Sequence, residues 1–148
     1  MREFVGDIWE LLDSNSAVCI LTNNTVTGPG TNIMGAGIAK EARNRNANLE
    51  YTCGLSIKNN TFSLGFDSIT KAEMLRFPTK DHVWKDSDVN VIADSLSKLK
   101  DYCIKNPMKK VYLPRPGCGC GGLNWERDVK PLCETYLKDI KNVCIVSK

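Results

Sequence analysis

Three stretches of the chain combine residue types and spacings that could do chemistry. The first is Asn32-Ile33-Met34-Gly35-Ala36-Gly37-Ile38-Ala39-Lys40. The second is Pro114-Arg115-Pro116-Gly117-Cys118-Gly119-Cys120-Gly121-Gly122. The third is Phe77-Pro78-Thr79-Lys80, with His82 two residues on. Glycines let a ligand approach the main chain closely, and the amides of a helix N-terminus attract anions, so phosphate or diphosphate is the natural guest of the first two. Neither common phosphate motif is present: GAGIAK lacks the third glycine of G-x-G-x-x-G, and nothing reads G-x4-G-K-[ST]. A plain structural turn remains the other reading of the first loop. Two such loops at one sheet edge would enclose a diphosphate from both sides with backbone N–H groups. Lys80, at a strand end facing that site, is either a surface charge or a working group. Desolvated, it would be a nucleophile; protonated, it would stabilise a leaving oxyanion. His82 is a second candidate, a general acid–base group near neutral pH, against the plainer reading of an exposed loop histidine.

The paired Cys118 and Cys120 raise a metal or redox alternative. The chain has seven cysteines, an odd number, and one histidine. C-x-C is not the usual zinc spacing and no second pair follows, so no metal is expected. Cys19, Cys133 and Cys144 lie inside apolar patterns, where free cysteine behaves as a small core residue. A length of 148 residues fits a single domain spanning 1–148, and 42% hydrophobic with 25% charged residues is ordinary for a soluble globular protein. No apolar stretch is long enough to span a membrane, and the N-terminal MREFVGDIWELL carries acids within its apolar run, unlike a secretory signal. The expected compartment is the cytoplasm, that of the host if the protein is phage-encoded, and the expected state is a monomer. Net charge is +3, with mixed signs along the chain. That charge would help an anionic ligand approach and alone makes a poor case for a nucleic-acid surface.

The elements that must position these residues alternate. Ala17–Thr22, Met74–Pro78, Lys110–Leu113 and Asn142–Val146 read as buried strands, and Arg2–Val5 as a short edge strand. Leu55–Ile57 and Thr61–Phe66 flank Lys58-Asn59-Asn60, which suggests a hairpin through an Asn-Asn turn. Val89, Ile92, Leu96, Leu99 and Cys103 recur at helical intervals after Ser87, a candidate N-cap, and Asn106-Pro107 ends that helix. Val129, Leu132, Cys133, Tyr136, Leu137 and Ile140 make a second stripe. Ile33–Arg45 has a glycine-rich start and a helical end, and Asp7–Leu12 suits a short helix. Strands alternating with helices imply an α/β sheet covered on both faces, with ligands beyond the carboxyl ends of the strands. The glycine loops and Lys80 fall there.

Five stretches in order resemble the macro domain, the ADP-ribose-binding α/β/α module. They are Gly6-Asp7-Ile8, Leu21-Thr22-Asn23, Met34 to Ala39, Phe77 to Lys80, and Leu113 to Gly119 with Gly121-Gly122-Leu123-Asn124-Trp125. The similarity runs over nearly the whole chain and is greatest to small bacterial and phage macro domains and to the macro domain of the antitoxin that removes ADP-ribose from DNA. The resemblance implies a three-layer α/β/α sandwich with a mixed central sheet. It implies that Asp7 accepts a hydrogen bond from the adenine amino group, with Ile8 at the ring, and that Asn23 faces the distal ribose. Gly35, Ala36, Gly37 and Ile38 would form one diphosphate loop, and Pro116, Gly117, Cys118, Gly119, Cys120, Gly121 and Gly122 the other. Lys80 matches the lysine implicated in hydrolysis in the DNA-directed and glutamate-directed branches. Three departures stand out. Gly121 occupies the place of the aspartate that the glutamate-directed branch uses, Thr27-Gly28-Pro29-Gly30-Thr31 is an insertion next to the distal ribose, and the segment after Trp125 is one residue longer than expected.

The resemblance implies a hydrolase that removes ADP-ribose from modified DNA or protein through Lys80, with no cofactor. One alternative is an ADP-ribose 1″-phosphate phosphatase, with His82 as its acid–base group. A second is a non-catalytic reader, which the missing aspartate favours. If the substrate is DNA, Lys109, Lys110 and Arg115 would touch phosphates.

Overall fold

The computed structural model describes residues 1–148. Six strands form one sheet in the order β1-β6-β5-β2-β4-β3. They are β1 (Arg2–Val5), β2 (Ser16–Asn23), β3 (Ser63–Phe66), β4 (Glu73–Lys80), β5 (Lys110–Pro114) and β6 (Val143–Ser147). All neighbours pair in parallel except β3 with β4, so the sheet is mixed and β1 is an edge strand, as its sequence predicts.

Helices cover both faces, and the strands show why. Along β2, Ala17 and Cys19 join one core cluster while Val18 and Ile20 join the other. β5 and β6 divide in the same way, Val111 and Leu113 against Tyr112, and Val143 and Ile145 against Cys144 and Val146. Successive side chains point to opposite faces, so a strand buried on both reads as an unbroken apolar run. Helices α1 (Gly37–Arg45) and α2 (Leu49–Asn59) cover one face, and α3 (Val89–Lys105) and α4 (Lys130–Leu137) the other. The result is a three-layer α/β/α sandwich. No helix is long and apolar enough to cross a membrane.

Two local readings need correction, and a third finds its structural form. Residues 55–57 are not a strand: α2 runs through them to Asn59, burying Leu49, Cys53 and Ser56 at helical spacing. Asn60 ends it in the left-handed conformation (φ 53°), its N–H donating back to the Ile57 and Ser56 carbonyls. The Asn-Asn pair is thus a helix C-cap rather than a hairpin turn, because asparagine tolerates positive φ in both. β3 pairs with β4 instead. Helix α3 is capped by Asp88, whose Oδ1 accepts from the Asn90 N–H at 2.8 Å, and not by Ser87. The extra residue after Trp125 is absorbed by a π turn over Trp125–Val129, with the Lys130 N–H donating to the Trp125 carbonyl. A π turn is how a helix start takes in one more residue without losing its ladder.

Candidate functional site

β2, β4, β5 and β6 end at the same sheet edge, where a cavity of about 460 Å³ opens. The end of β2 lies against the end of β4, with Asn23 in register with Lys80. Lys80 lines the cavity, is half-buried, and forms no ion pair with any carboxylate of the protein. Among the ionisable side chains of the wall are three cations, Lys80, Arg115 and Lys148, and one acid, Glu41. Glu41 is already engaged: Trp9 Nε1 donates to it at 3.2 Å and Lys148 Nζ lies 3.6 Å away. The free charge of the wall is therefore positive.

Gly35, Ala36, Gly37 and Ile38 line the cavity together. Ala36 opens α1 without any side-chain cap, so the first amides of the helix lack an internal partner. Gly37 sits at φ 57°, a conformation that favours glycine. The segment before it is anchored on α2, where Glu50 takes the Asn32 N–H on its main-chain oxygen at 2.8 Å and the Met34 N–H on Oε2 at 3.2 Å. In the second loop Gly117, Gly119, Cys120 and Gly121 line the cavity, whereas Pro116, Cys118 and Gly122 lie behind it. Cys118 is half-buried, its thiol 3.3 Å from the Pro116 carbonyl and its pKa pushed up by burial. Cys120 is exposed. The two thiols thus occupy different environments, and no group of three or more His, Cys, Asp or Glu side chains is assembled anywhere in the chain.

The second loop is closed tightly from below. A Cβ on Gly121 would fall 2.1 Å from Ser87 Oγ and 2.6 Å from the Gly117 carbonyl oxygen. Position 121 therefore takes no side chain at all in this geometry, an aspartate included. Ser87 braces the loop rather than capping α3, its N–H donating to the Gly121 carbonyl at 3.0 Å. Trp125 is buried under the loop, with the Arg115 guanidinium 4.9 Å above its ring. Arg115 thus has both an aromatic partner and a place on the cavity wall.

The remaining sequence-derived candidates are placed as follows. Ile8 lines the cavity; Asp7 does not, and its Oδ1 accepts from the Trp9 N–H at 3.0 Å as the cap of a short 3-10 turn (Ile8–Leu11). Asn23 lines the cavity, yet its amide braces the chain that follows. Nδ2 donates to the Ile33 carbonyl, and Oδ1 accepts from the Thr25 N–H and from Asn32 Nδ2, all at 2.9 Å. His82 lies outside the cavity, exposed and stacked on Trp84. Lys109 is 3.4 Å from Glu73, away from the cavity wall. The 27–31 insertion folds on itself and docks on α2, where a Cβ on Gly54 would meet the Gly30 carbonyl oxygen at 2.0 Å; none of its residues lines the cavity. Glu41, Val83, Ser87 and Lys148 are wall residues that carry no motif in the sequence and come together only through the fold.

No family model matches the sequence, and no curated protein matches it. Solved structures do match its shape. The macrodomain of Thermus aquaticus DarG superposes with a TM-score of 0.78 at 20% identity, covering 99% of this chain and 97% of that one. The macrodomain of Mycobacterium tuberculosis DarG gives 0.78 at 22%, covering 99% and 98%. Thermosipho africanus DarTG in complex with ADP-ribose gives 0.77 at 22%; the match takes in all of this chain and spans 42% of that longer one. Identities of this size speak to architecture and not to activity: the chain has the macrodomain fold.

Proposed function

We propose that the protein binds ADP-ribose in the cavity at the strand ends and hydrolyses the bond that joins ADP-ribose to a modified macromolecule, DNA or protein, with Lys80 as the catalytic group. The observation that carries this reading is Lys80 itself: half-buried, unpaired by any carboxylate, and in register with Asn23 where two glycine loops meet in one positively charged cavity. A diphosphate would take the uncapped amides at the start of α1 and those of Gly117 to Gly121, since main-chain N–H groups at a helix start favour anions. The solved DarTG complex with ADP-ribose, a protein of the same fold, supports this choice of ligand.

The wall offers no free carboxylate to activate water, because Glu41 is held by Trp9 and Lys148. Chemistry at the distal ribose then falls to Lys80. As a neutral amine it would add to C1″ of the opened sugar, releasing the acceptor and leaving a Schiff base for water to hydrolyse. As an ammonium it would stabilise charge on the departing group. Cyanoborohydride during turnover separates the two, since only the first leaves ADP-ribose covalently on Lys80. The phosphatase reading needs an acid–base group at the 1″ position, and His82 stands outside the wall.

The decisive experiment sets wild type beside Lys80→Ala on ADP-ribosylated DNA, glutamate-modified protein and ADP-ribose 1″-phosphate. Release from a modified macromolecule should vanish in the variant, while calorimetry shows ADP-ribose affinity within about threefold of wild type, a change under 1 kcal/mol. Unchanged turnover in Lys80→Ala overturns the catalytic assignment. ADP-ribose binding without turnover on any substrate makes the protein a reader.

A further inference from the structure

The segment 81–88, between β4 and α3, holds an aromatic pair that the cavity does not use. His82 and Trp84 stack with ring centroids 4.8 Å apart and planes 12° from parallel. Trp84 is 73% exposed. Val83, between them, lines the cavity, so the pair stands at its rim, two and four residues beyond Lys80. The segment is held in place at both ends. The Val83 N–H donates to Thr25 Oγ1 at 3.0 Å, the Lys85 N–H to the His82 carbonyl at 3.1 Å, and the Asp88 N–H to the Thr79 carbonyl at 2.8 Å. A fixed, exposed indole beside a binding cavity offers an aromatic face of the kind that interfaces favour.

Charge indicates the partner. Asp81, Asp86 and Asp88 lie in the segment against one lysine, Lys85. Beside it, between the end of β4 and α3, a second cavity of about 530 Å³ is walled by Asp81, Asp88 and Asp94. Of its two cations, only Lys98 is paired with a carboxylate. Lys98 lies 3.3 Å from Asp94, and Arg76 is buried on the floor with its N–H groups on Ser56, Thr61 and Asn24. Segment 81–88 itself carries two more carboxylates than cations, although the chain as a whole is +3. That local excess disfavours a strand of phosphates along the segment. A guanidinium is planar, stacks on indole and pairs with carboxylates, so it satisfies both features at once.

We propose that Trp84, with His82 stacked on it and Asp81 and Asp86 in the same short segment, forms a docking surface for an arginine-bearing polypeptide segment next to the ADP-ribosylated residue of a protein substrate. The inference rests on the reading that places the scissile bond at Lys80, and it selects protein over nucleic acid as the acceptor.

The test uses the full chain saturated with ADP-ribose and follows the three indole N–H signals of Trp9, Trp84 and Trp125 by NMR. The probes are an acetylated, amidated Gly-Arg-Gly-Arg-Gly peptide, the same peptide with citrulline for arginine, and a single-stranded oligodeoxythymidylate of eight nucleotides. The arginine peptide should shift Trp84 alone. Citrulline, of the same shape but neutral, should weaken binding about fivefold or more, and Asp81→Asn with Asp86→Asn about three- to tenfold. Trp84→Ala should abolish peptide binding, read from the Val83 and Lys85 amides, and leave ADP-ribose affinity unchanged. A Trp84 shift with the oligonucleotide and none with the peptide overturns the proposal in favour of nucleic acid; indifference to both overturns it outright. The amides of Gly35 to Ile38 report ADP-ribose binding in the same sample, so a failure of the cavity reading is seen separately from a failure of the docking surface.

Discussion

Replacing Gly121 with alanine adds one methyl group, and the structure says what it meets. The new carbon would lie 2.1 Å from Ser87 Oγ and 2.6 Å from the Gly117 carbonyl oxygen. The Ser87 hydroxyl can rotate away, but the carbonyl is main chain. It already accepts the Leu123 N–H at 2.9 Å, and Gly117 is itself wedged at φ 73° against Leu123 and Ser87. The loop must therefore move. Overpacking of this kind costs about 1–3 kcal/mol, and the stiffer unfolded chain of the alanine variant offsets about 0.4–1 kcal/mol. A net loss of about 1–2 kcal/mol corresponds to a fall in Tm of about 2–8 °C for a domain of this size. Displacing the loop should also remove one or two amide contacts to an anionic ligand, each worth about 1.5–3 kcal/mol, and weaken ADP-ribose binding roughly tenfold or more. Gly119→Ala is the control. It lies in the same loop and lines the same cavity, yet no atom lies within 4 Å of its added carbon. Its Tm should stay within about 2 °C of wild type, the surface-substitution range. Thermal unfolding and calorimetry with ADP-ribose measure both. A Gly121→Ala protein with wild-type Tm and affinity, or a Gly119→Ala protein that loses as much stability, would refute the steric account of this loop.

Three further outcomes follow from other parts of the fold. Gly54→Ala drives a methyl group to 2.0 Å from the Gly30 carbonyl oxygen and should lift the 27–31 insertion off α2, costing about 2–3 kcal/mol in urea unfolding and opening the insertion to proteolysis. Asp67 is fully buried; burial alone would raise its carboxyl, but bonds from Arg45, Thr70 and Asn46 outweigh it and hold the group well below the usual carboxylate range. A depressed folded pKa contributes stability that is complete above the unfolded value near 4 and is lost as pH falls below it, so Tm should drop through that window in wild type and less steeply in Asp67→Asn, itself destabilised by about 3 kcal/mol. Cys120 is the exposed thiol and lines the cavity, while five of the other six are buried and Cys118 is half-buried with a raised pKa. Mass spectrometry after brief alkylation should therefore find Cys120 modified first, and ADP-ribose should slow it.

The parts of this architecture that the sequence announces are those governed by local periodicity. The β2 run Ala17–Ile20 is apolar at every position because it is buried on both faces, and the α3 stripe from Ile92 to Cys103 recurs at helical spacing because one face is. The candidate site is legible for a related reason: main-chain chemistry at strand ends demands glycine, and glycine is visible. Side-chain roles are less so. Asn23 spends its amide on tying down the next ten residues, and nothing in Leu-Thr-Asn signals it. Asp67 has Thr70 as a local partner, but its other two, Asn46 and Arg45, are 21 and 22 residues away, and no motif links them to it. Gly30 and Gly54 are separated by 24 residues and explain each other only once the insertion lies on α2.

Gly121 is the sharpest case, because sequence and structure give the same residue opposite meanings. Set against a branch that carries aspartate there, the glycine reads as a lost acid, hence a weakened enzyme. Set among Ser87 and Gly117, it is a position where any β-carbon collides with the main chain, and its glycine lets the loop draw tightly onto the β4–α3 segment. That segment begins where Lys80 ends β4, and it carries the Ser87 N–H that holds Gly121. The close approach thus couples the second glycine loop to the strand end bearing the candidate lysine. Gly121→Asp should accordingly fail to restore an acid function and should destabilise at least as much as Gly121→Ala. A Gly121→Asp protein with wild-type stability and faster release from glutamate-linked substrate would show that the loop has room the structure denies it.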